Sequence, residues 1–238
     1  MKIHYLQHIS VETPGSILDW AGLHRHAVQG TRLDLGEALP PCSSFDWLVI
    51  MGGPMNVYEE NTYPWLREEK ALIRQAAQEG KVILGFCLGA QLLTAALGGE
   101  VTAGREKEIG WHTVRMTDKA RSLPLFSFLP PSPVVFQWHG DTFSTLPEGA
   151  QLTAEGDVCR NQAFMIGTKI FGFQFHMENT PSILSGLVQK CGDELQQAPH
   201  IQNAREILGH PEHIRDNNSW IHTFLTRLEQ QENQLSPR

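Results

Sequence analysis

The sequence predicts an α/β fold, namely an open, mostly parallel sheet with helices on both faces and a small antiparallel extension. Strand and helix patterns alternate over the first hundred residues, which is typical of βαβ units. Residues 45–51 (FDWLVIM) are almost continuously apolar, which indicates a strand buried on both faces. In the second half, short strands are separated only by turns, which predicts antiparallel pairing.

The first half supplies the parallel part of the predicted sheet. Pro64 suits the first turn of the second predicted helix, and Gly80 lies just past its end. Each helix crosses from one strand to the next, as parallel neighbours require. The predicted strands cover residues 3–7, 31–35, 45–51 and 81–84, and the predicted helices cover residues 16–26, 64–78 and 90–97.

The second half supplies the antiparallel extension and a helical end. From Pro181 the pattern is helical again, with a final amphipathic helix at 220–230 and a frayed end at 235–238. No Gly/Ser-rich or Pro-rich linker divides the sequence. We therefore expect one domain over 1–238 with a helical C-terminal extension from about 181. The predicted strands of this half cover residues 111–116, 134–138, 162–166 and 170–175.

Composition excludes several classes of function. The chain has 238 residues and a formal net charge of −7, which argues against a general nucleic-acid binder. No apolar run approaches the length of a membrane helix, and the first residues resemble a strand rather than a signal peptide. The four cysteines, at 42, 87, 159 and 191, form no C-x-x-C pair. We therefore expect reduced thiols, a cytoplasmic location, and neither a nucleic-acid nor a membrane partner.

Cys87 lies at the centre of the most informative motif. Residues 85–89 read G-F-C-L-G, between an apolar strand and a helix-forming run. This is the strand–turn–helix context of a nucleophile elbow, with sulfur as the nucleophile. The following helix points its N–H groups at the thiol and so favours thiolate. The alternative is a buried cysteine in a strand end bounded by glycines.

A base and an orienting acid are available at another strand end. His176 and Glu178 are two residues apart, so in extended chain their side chains point the same way. The carboxylate can then fix the imidazole tautomer, and the imidazole can pair with the Cys87 thiolate. The alternatives are a capped strand-end histidine and a solvated or helix-capping acid. Together the three residues predict a Cys–His–Glu triad.

An oxyanion hole is the remaining requirement of an acyl-transfer site. Gly52 and Gly53 precede Pro54, directly after the apolar strand that should neighbour the elbow strand, and glycines let backbone N–H groups face the site. The N–H of Leu88, next to the nucleophile, is the second natural donor. Taken alone, Gly-Gly-Pro is also typical of a simple turn.

These motifs together resemble the class I, triad-type glutamine amidotransferases. Residues 85–91 (GFCLGAQ) resemble that family's G-x-C-x-G-x-Q motif, and residues 172–178 (GFQFHME) resemble its G-x-Q-F-H-x-E motif. Residues 51–54 (MGGP) resemble its oxyanion strand, and residues 138–141 (WHGD) resemble the H-G-D segment of the GMP-synthase-like branch. The resemblance covers about residues 1–180 and implies a flavodoxin-like sheet.

The resemblance also implies roles for these residues. Cys87 attacks the side-chain amide of glutamine and forms a γ-glutamyl thioester, while His176 transfers protons and Glu178 orients it. No cofactor and no metal are implied. The N–H groups of Gly53 and Leu88 hold the oxyanion. The residues implied to hold the amino-acid end of the substrate are Gln91, Trp138, His139 and Gly140.

The sequence departs from the family in two ways. Ala90 stands where many members have histidine, and no nucleotide-binding motif that could consume ammonia follows the amidotransferase motifs. Three hypotheses therefore stay open. The chain releases ammonia from glutamine for a separate synthase subunit or another acceptor, it hydrolyses γ-glutamyl peptides or conjugates with the same triad, or it is a non-enzymatic interaction domain.

Other polar clusters are expected to be surface features. His24 and His26 are two apart in a predicted helix, so their side chains should diverge, and the segment 210–213 contains Pro and lacks a third clear ligand. We therefore expect no metal site. The acidic residues at 59–60 and 68–69 indicate solvated faces. The segment 56–58 fits either the mouth of the site or a structural loop.

Overall fold

The computed structural model describes residues 1–235 and contains ten strands and seven α-helices in this range. The strands are β1 (Lys2–Gln7), β2 (Ala27–Arg32), β3 (Trp47–Ile50), β4 (Val82–Phe86), β5 (Glu100–Thr113), β6 (Arg115–Met116), β7 (Val134–Thr145), β8 (Ala150–Glu155), β9 (Asn161–Ile166) and β10 (Ile170–Phe173). The helices are α1 (Ser16–Leu23), α2 (Trp65–Gln78), α3 (Leu88–Ala96), α4 (Asp118–Arg121), α5 (Pro181–Cys191), α6 (Ala204–Leu208) and α7 (Pro211–Leu235).

Eight strands form one mixed sheet in the order β2-β1-β3-β4-β10-β9-β8-β6. The pairs from β2 to β10 are parallel, and the pairs from β10 to β6 are antiparallel. Strands β5 and β7 form a separate antiparallel ribbon. The predicted fold class is confirmed, with the antiparallel extension divided between the sheet edge and the ribbon.

Both faces of the sheet are covered by helices. Along β3, Trp47 and Val49 pack into one apolar layer, while Leu48 and Ile50 pack into the other. The first layer is closed by side chains of α1, α4 and α7, and the second by side chains of α2 and α3. Burial on both faces explains why residues 45–51 are apolar without alternation.

Three strands differ most from the prediction. Strand β2 occupies 27–32, and Leu33–Leu35 form a 3₁₀ turn, because β2 is a largely exposed edge strand with little hydrophobic signal. Strand β5 begins at Glu100 rather than at 111, so the charged segment at 104–108 belongs to the ribbon, with an irregular register between Ala103 and Glu108. Strand β8 is also missing from the prediction, since its sequence, AQLTAE, has only one strongly apolar residue.

The chain after Pro181 is mostly helical, and its last helix is longer than expected. Helix α7 begins at Pro211 and packs Ile221, Phe224, Leu225 and Leu228 against the face that also holds α1. No helix within residues 1–235 has the length and apolarity needed to cross a membrane. The fraying expected at 235–238 concerns a segment that lies almost entirely outside the described residues.

Candidate active site

Cys87 is held in a strained turn between β4 and α3. Its φ of +50° and ψ of −111° are unusual for a residue with a side chain. The flanking glycines are required by close contacts. A Cβ atom on Gly85 would lie 2.6 Å from the Gly89 backbone, and one on Gly89 would lie 2.1 Å from the Ile50 carbonyl oxygen. The sequence G-F-C-L-G therefore folds into the predicted elbow and places the thiol at the N-terminus of α3.

The predicted base and orienting acid lie together beside this thiol. His176 Nδ1 is 2.5 Å from Glu178 Oε1, and the Met177 N–H donates to Glu178 Oε2 at 2.9 Å. Because the carboxylate accepts from Nδ1, Nε2 is the ring nitrogen left for Cys87, whose proximity helps to raise the pKa of His176. All three catalytic candidates are buried. The backbone of His176 also pairs with Phe136 of β7, which fixes the imidazole between the sheet and the ribbon.

The charges of the site favour proton exchange between Cys87 and His176. Burial raises the pKa of the Cys87 thiol, although His176 and the Leu88 N–H act in the opposite direction. Burial lowers the pKa of His176, but Glu178 and the contact with Cys87 raise it more, so it lies well above its ordinary value. The Glu178 carboxylate therefore favours the protonated, imidazolium form of His176.

The two residues predicted to supply oxyanion donors lie near Cys87. Leu88 is the first residue of α3, where N–H groups lack helical partners, and its N–H contacts the Cys87 sulfur. Gly53 lies in the loop after β3 and lines the same cavity as Cys87. A Cβ atom on Gly53 would approach His8 to 2.8 Å and Leu88 to 3.0 Å. Glycine is thus needed at 53 for packing.

A partly open cavity of about 330 Å³ lies over Cys87, and its wall includes Gln91, Trp138, His139 and Gly140. The Cys87 thiol donates to the Trp138 carbonyl at 3.5 Å. Gln91 donates to the carbonyl of Asp141 at 2.9 Å, and His139 Nδ1 donates to the same carbonyl at 3.1 Å. Gln91 and His139 therefore each donate a hydrogen bond to the backbone at Asp141, and both side chains also line the cavity.

The loop after β3 contributes at the mouth of this cavity. Asn56 lines the cavity directly, whereas Tyr58 lies 59% exposed and donates to Asp141 Oδ2 at 3.0 Å. The segment 56–58 therefore combines both roles that the sequence left open.

One wall of the cavity consists of residues that were not predicted from the sequence. Leu187, Cys191 and Glu194 come from α5 and the turn that follows it. Glu194 accepts from the Trp138 indole at 3.2 Å and pairs with Lys107 at 2.7 Å, which ties this segment to the ribbon. Their apolar and acidic side chains resemble those of an ordinary surface helix, so the sequence carried no signal for them.

Glu12 was also missed, although it lies beside the triad. It lines the cavity, and its Oε2 lies 1.9 Å from the point where a Cβ on Gly52 would stand, while His176 Cε1 lies 3.2 Å from that point. Within residues 1–235, no hydrogen bond or ion pair involves its carboxylate. Burial raises the pKa of Glu12, with His176 and His8 acting against it. Its position shortly after β1, at the edge where parallel strands end, was the available signal.

The structure corrects the argument about His24 and His26. Helix α1 ends at Leu23, and Arg25 has a φ of +57°, so both histidine rings turn towards Glu229, at 2.8 and 3.2 Å. The candidate ligand atoms of these three residues lie within 4.8 Å of one another, as do those of His210, Glu212 and His213. The expectation that the protein binds no metal stays a prediction.

Comparison with known proteins gives a consistent result. The sequence profile of glutamine amidotransferase class-I matches residues 28–188. YfeJ of Salmonella typhimurium, described as glutamine amidotransferase-like, is 37% identical over 202 residues, which cover 83% of this chain and 84% of YfeJ. GMP synthase (glutamine-hydrolysing) of Streptococcus mutans is 36% identical over 135 residues, but these cover 55% of this chain and 24% of the synthase.

A solved structure agrees over nearly the whole chain. A glutamine amidotransferase of Thermotoga maritima superposes with a TM-score of 0.87 at 29% identity, covering 96% of this chain and 97% of that one. The sequence profile, the length of the match to YfeJ and the shared fold lead to one assignment. The chain belongs to the class I glutamine amidotransferase family.

Proposed function

We propose that the protein hydrolyses the side-chain amide of glutamine through a γ-glutamyl thioester on Cys87. The observation that carries this proposal is the convergence of Cys87, His176 and Glu178 in one buried cluster at the base of a cavity. The strained elbow and the two backbone donors at Gly53 and Leu88 are the other parts that acyl transfer needs.

In the first half of the reaction, the Cys87 sulfur attacks the amide carbon while His176 takes the thiol proton. The amide oxygen becomes negative, and the N–H groups of Gly53 and Leu88 stabilise it. When the intermediate collapses, the carbon–nitrogen bond breaks and His176 gives its proton to the departing ammonia. Glu178 keeps the imidazole in the tautomer that this transfer requires.

In the second half, His176 takes a proton from water, and the resulting hydroxide attacks the thioester carbon. The carbon–sulfur bond then breaks, glutamate leaves and the proton returns to Cys87. His176 carries every proton, and every bond change occurs at the substrate carbonyl carbon, where sulfur replaces nitrogen and water oxygen then replaces sulfur, so this route uses no cofactor and no metal. Gln91 and the segment Trp138–Gly140 shape the pocket for the amino-acid end of the substrate.

The ammonia requires an acceptor, and a separate synthase subunit is the partner that we propose for this reaction. The support is the similarity to GMP synthases, of which this chain matches only 24% of the length. In such an arrangement, nitrogen released at Cys87 would be consumed on another polypeptide.

A second candidate reaction is the hydrolysis of γ-glutamyl peptides or conjugates by the same triad. Glu12, Cys191 and Glu194 line the same cavity as Cys87, and His176 opposes the rise that burial causes in the pKa of Glu12. Because His176 protonates the leaving nitrogen, this wall would face the leaving group. The apolar, sulfur and carboxylate groups of this wall offer contacts to the leaving group of a γ-glutamyl peptide or conjugate that ammonia alone would not use.

One substrate screen tests both candidates. Glutamate release by the purified chain is measured with glutamine and with γ-glutamyl dipeptides, and the preferred substrate decides between them. Cys87→Ala should lose all turnover with either. Cys42→Ala is the matched control, because Cys42 is also buried, and burial together with Glu79 raises its pKa to about 11. Turnover by Cys87→Ala would overturn the mechanism, and no turnover by the wild type would favour an interaction domain.

A further inference from the structure

A buried ion pair lies directly behind the candidate oxyanion loop. His8, just after β1, and Glu69, on α2, are both completely buried. His8 Nε2 is 3.1 Å from Glu69 Oε1 and 3.2 Å from Oε2, and His8 Nδ1 is 2.9 Å from the carbonyl oxygen of Gly52. Trp65, one turn before Glu69 on α2, stacks on the His8 ring with centroids 5.4 Å apart. Side chains of α2 therefore hold this imidazole in one orientation.

The contacts require both ring nitrogens of His8 to donate. A carbonyl oxygen and a carboxylate only accept hydrogen bonds, so Nδ1 and Nε2 each need a proton, which makes the ring an imidazolium. Burial lowers the pKa of His8, but Glu69 and the Gly52 carbonyl raise it more, so it lies above its ordinary value. A charged pair buried this deeply is costly unless its hydrogen bonds are satisfied.

The geometry of the peptide carries this interaction to the active site. In a trans peptide the C=O and the following N–H point in opposite directions. Because the Gly52 carbonyl points at His8, the Gly53 N–H points away from His8, and Gly53 lines the cavity that holds Cys87. A hydrogen bond to a peptide carbonyl also polarises that peptide and strengthens its N–H as a donor.

We propose that His8 and Glu69 are positioning residues that aim the Gly53 N–H into the oxyanion hole and polarise it. This role rests on the function proposed above, since it serves the tetrahedral intermediate of amide hydrolysis. The triad does not need the pair, because neither side chain is hydrogen-bonded to Cys87, His176 or Glu178 in the described chain. The pair therefore acts on the transition state through the Gly52–Gly53 peptide.

The test compares turnover with alkylation of Cys87. His8→Leu should lower kcat by about 100-fold, the lower range for loss of one oxyanion donor, with little change in KM. Alkylation of Cys87 by iodoacetamide forms no oxyanion, so its rate should stay within about twofold of wild type if only that donor is lost. A general disturbance of the site would slow both reactions together.

Two further variants and one control complete the design. His8→Asn keeps a side-chain donor near the position of Nδ1 and should recover part of the lost kcat, whereas Glu69→Gln removes the charge and should give an intermediate value. His4→Leu is the matched control, since His4 lies on β1, is buried and is hydrogen-bonded to Thr31 at 2.9 Å. It should lose stability but retain kcat.

The outcomes separate this proposal from the function on which it rests. Unchanged kcat in His8→Leu, or an equal loss of kcat and alkylation rate, overturns the positioning role. If His8→Leu does not fold, wild-type kcat in both His8→Asn and Glu69→Gln overturns it. A wild type that is alkylated at Cys87 but hydrolyses neither glutamine nor γ-glutamyl amides defeats the proposed function, and the positioning role with it.

Discussion

The backbone of Cys87 is strained, and the strain is local to this residue. Within residues 1–235, Cys87 and Arg25 are the non-glycine residues with positive φ. Such conformations cost about 1–3 kcal/mol and persist where the surrounding structure imposes them. Here the backbone packs closely on both sides of Cys87, since a Cβ on Gly85 or Gly89 would clash with neighbouring backbone. The strain at Cys87 therefore lowers the stability of the fold while it fixes the position of the Cys87 sulfur.

This strain predicts that glycine is more stabilising than alanine at position 87. Cys87→Gly and Cys87→Ala both remove the thiol, but only glycine removes the Cβ that the conformation disfavours. We expect Cys87→Gly to exceed Cys87→Ala by about 1 kcal/mol in free energy of unfolding, measured by urea denaturation. Ala71→Gly, at an exposed position inside α2, is the control and should instead lose about 1 kcal/mol. A Cys87→Gly variant no more stable than Cys87→Ala would show that the turn is unstrained.

The coupled charges of Cys87, His176 and Glu178 predict the direction of a pH effect. With both pKa values raised, the Cys87–His176 pair holds an extra proton at low pH and must lose it to react, so kcat/KM should rise with pH. Glu178→Gln removes a negative charge that favours the protonated pair. The rising limb should therefore move to lower pH, while the maximal rate falls because the imidazolium is less stabilised. A limb that stays in place or moves to higher pH would contradict this assignment.

At the scale of elements, the connection between β1 and α1 packs against the backbone of Glu178. The Ser16 N–H donates to the carbonyl oxygen of Glu178 at 2.9 Å. Gly15, with a φ of +52°, brings its backbone so close that a Cβ would lie 2.1 Å from this same oxygen. His8 and Glu12 belong to the same connection, so one short segment contacts the oxyanion loop, the cavity and the acid of the triad.

Substitution of Gly15 should therefore damage both stability and activity. Gly15→Ala combines a disfavoured φ with a backbone clash, and we expect a loss of more than about 2 kcal/mol in free energy of unfolding together with a clear fall in kcat. Gly36→Ala is the matched control, since Gly36 has a φ of +74° but nothing within 4 Å of its Cβ position. It should lose only about 1 kcal/mol and keep full kcat. Equal effects of the two variants would show that the clash with Glu178 is unimportant.

Local sequence patterns predicted the cluster of Cys87, His176 and Glu178 that the structure brings together, but not the residues that support it. The elbow depends on glycines beside Cys87, and the triad depends on a spacing of two in extended chain, so both are visible within a few residues. The support given by His8 depends on Glu69, 61 residues away in sequence. Glu69 was interpreted as part of a solvated face, and this was wrong, because the neighbouring acidic residue Glu68 is exposed while Glu69 faces the core. The local sequence cannot distinguish a buried charged residue from an exposed one when its partner is distant in the chain.

At the scale of the whole molecule, the parallel core was predictable and the edges were not. Strands β3 and β4 are buried on both faces, and this burial dictates apolar runs. Strands β2 and β8 lie towards the ends of the sheet order, where β2 is largely exposed and most of β8 is only partly buried, so their sequences resemble loops. In the ribbon of β5 and β7, strand was predicted at 111–116 and 134–138, but not for the charged residues 104–108. Burial, rather than strand formation itself, leaves the signal in the sequence.

The last helix connects the C-terminal part of the chain to the triad. Asn218 of α7 donates to the carbonyl oxygens of Met177 and Asn179 at 3.0 and 2.9 Å, on either side of Glu178. The preceding residue, Asn217, also donates two hydrogen bonds, to the carbonyl oxygen of Val134 at 2.9 Å and, within α7, to that of His213 at 2.8 Å. Two adjacent asparagines thus bind α7 to neighbouring backbone, but only Asn218 binds it to the chain on either side of Glu178.

This pair allows the role of α7 in positioning Glu178 to be separated from its role in stability. Asn218→Ala and Asn217→Ala each lose two hydrogen bonds, so both should lower the free energy of unfolding by about 1–3 kcal/mol. Only Asn218→Ala should also lower kcat, by roughly 10- to 100-fold, because small displacements of a catalytic group are costly. The measurements are urea denaturation and glutamate release for each variant. Equal kcat in the two variants would mean that α7 stabilises the fold without setting the geometry of the triad.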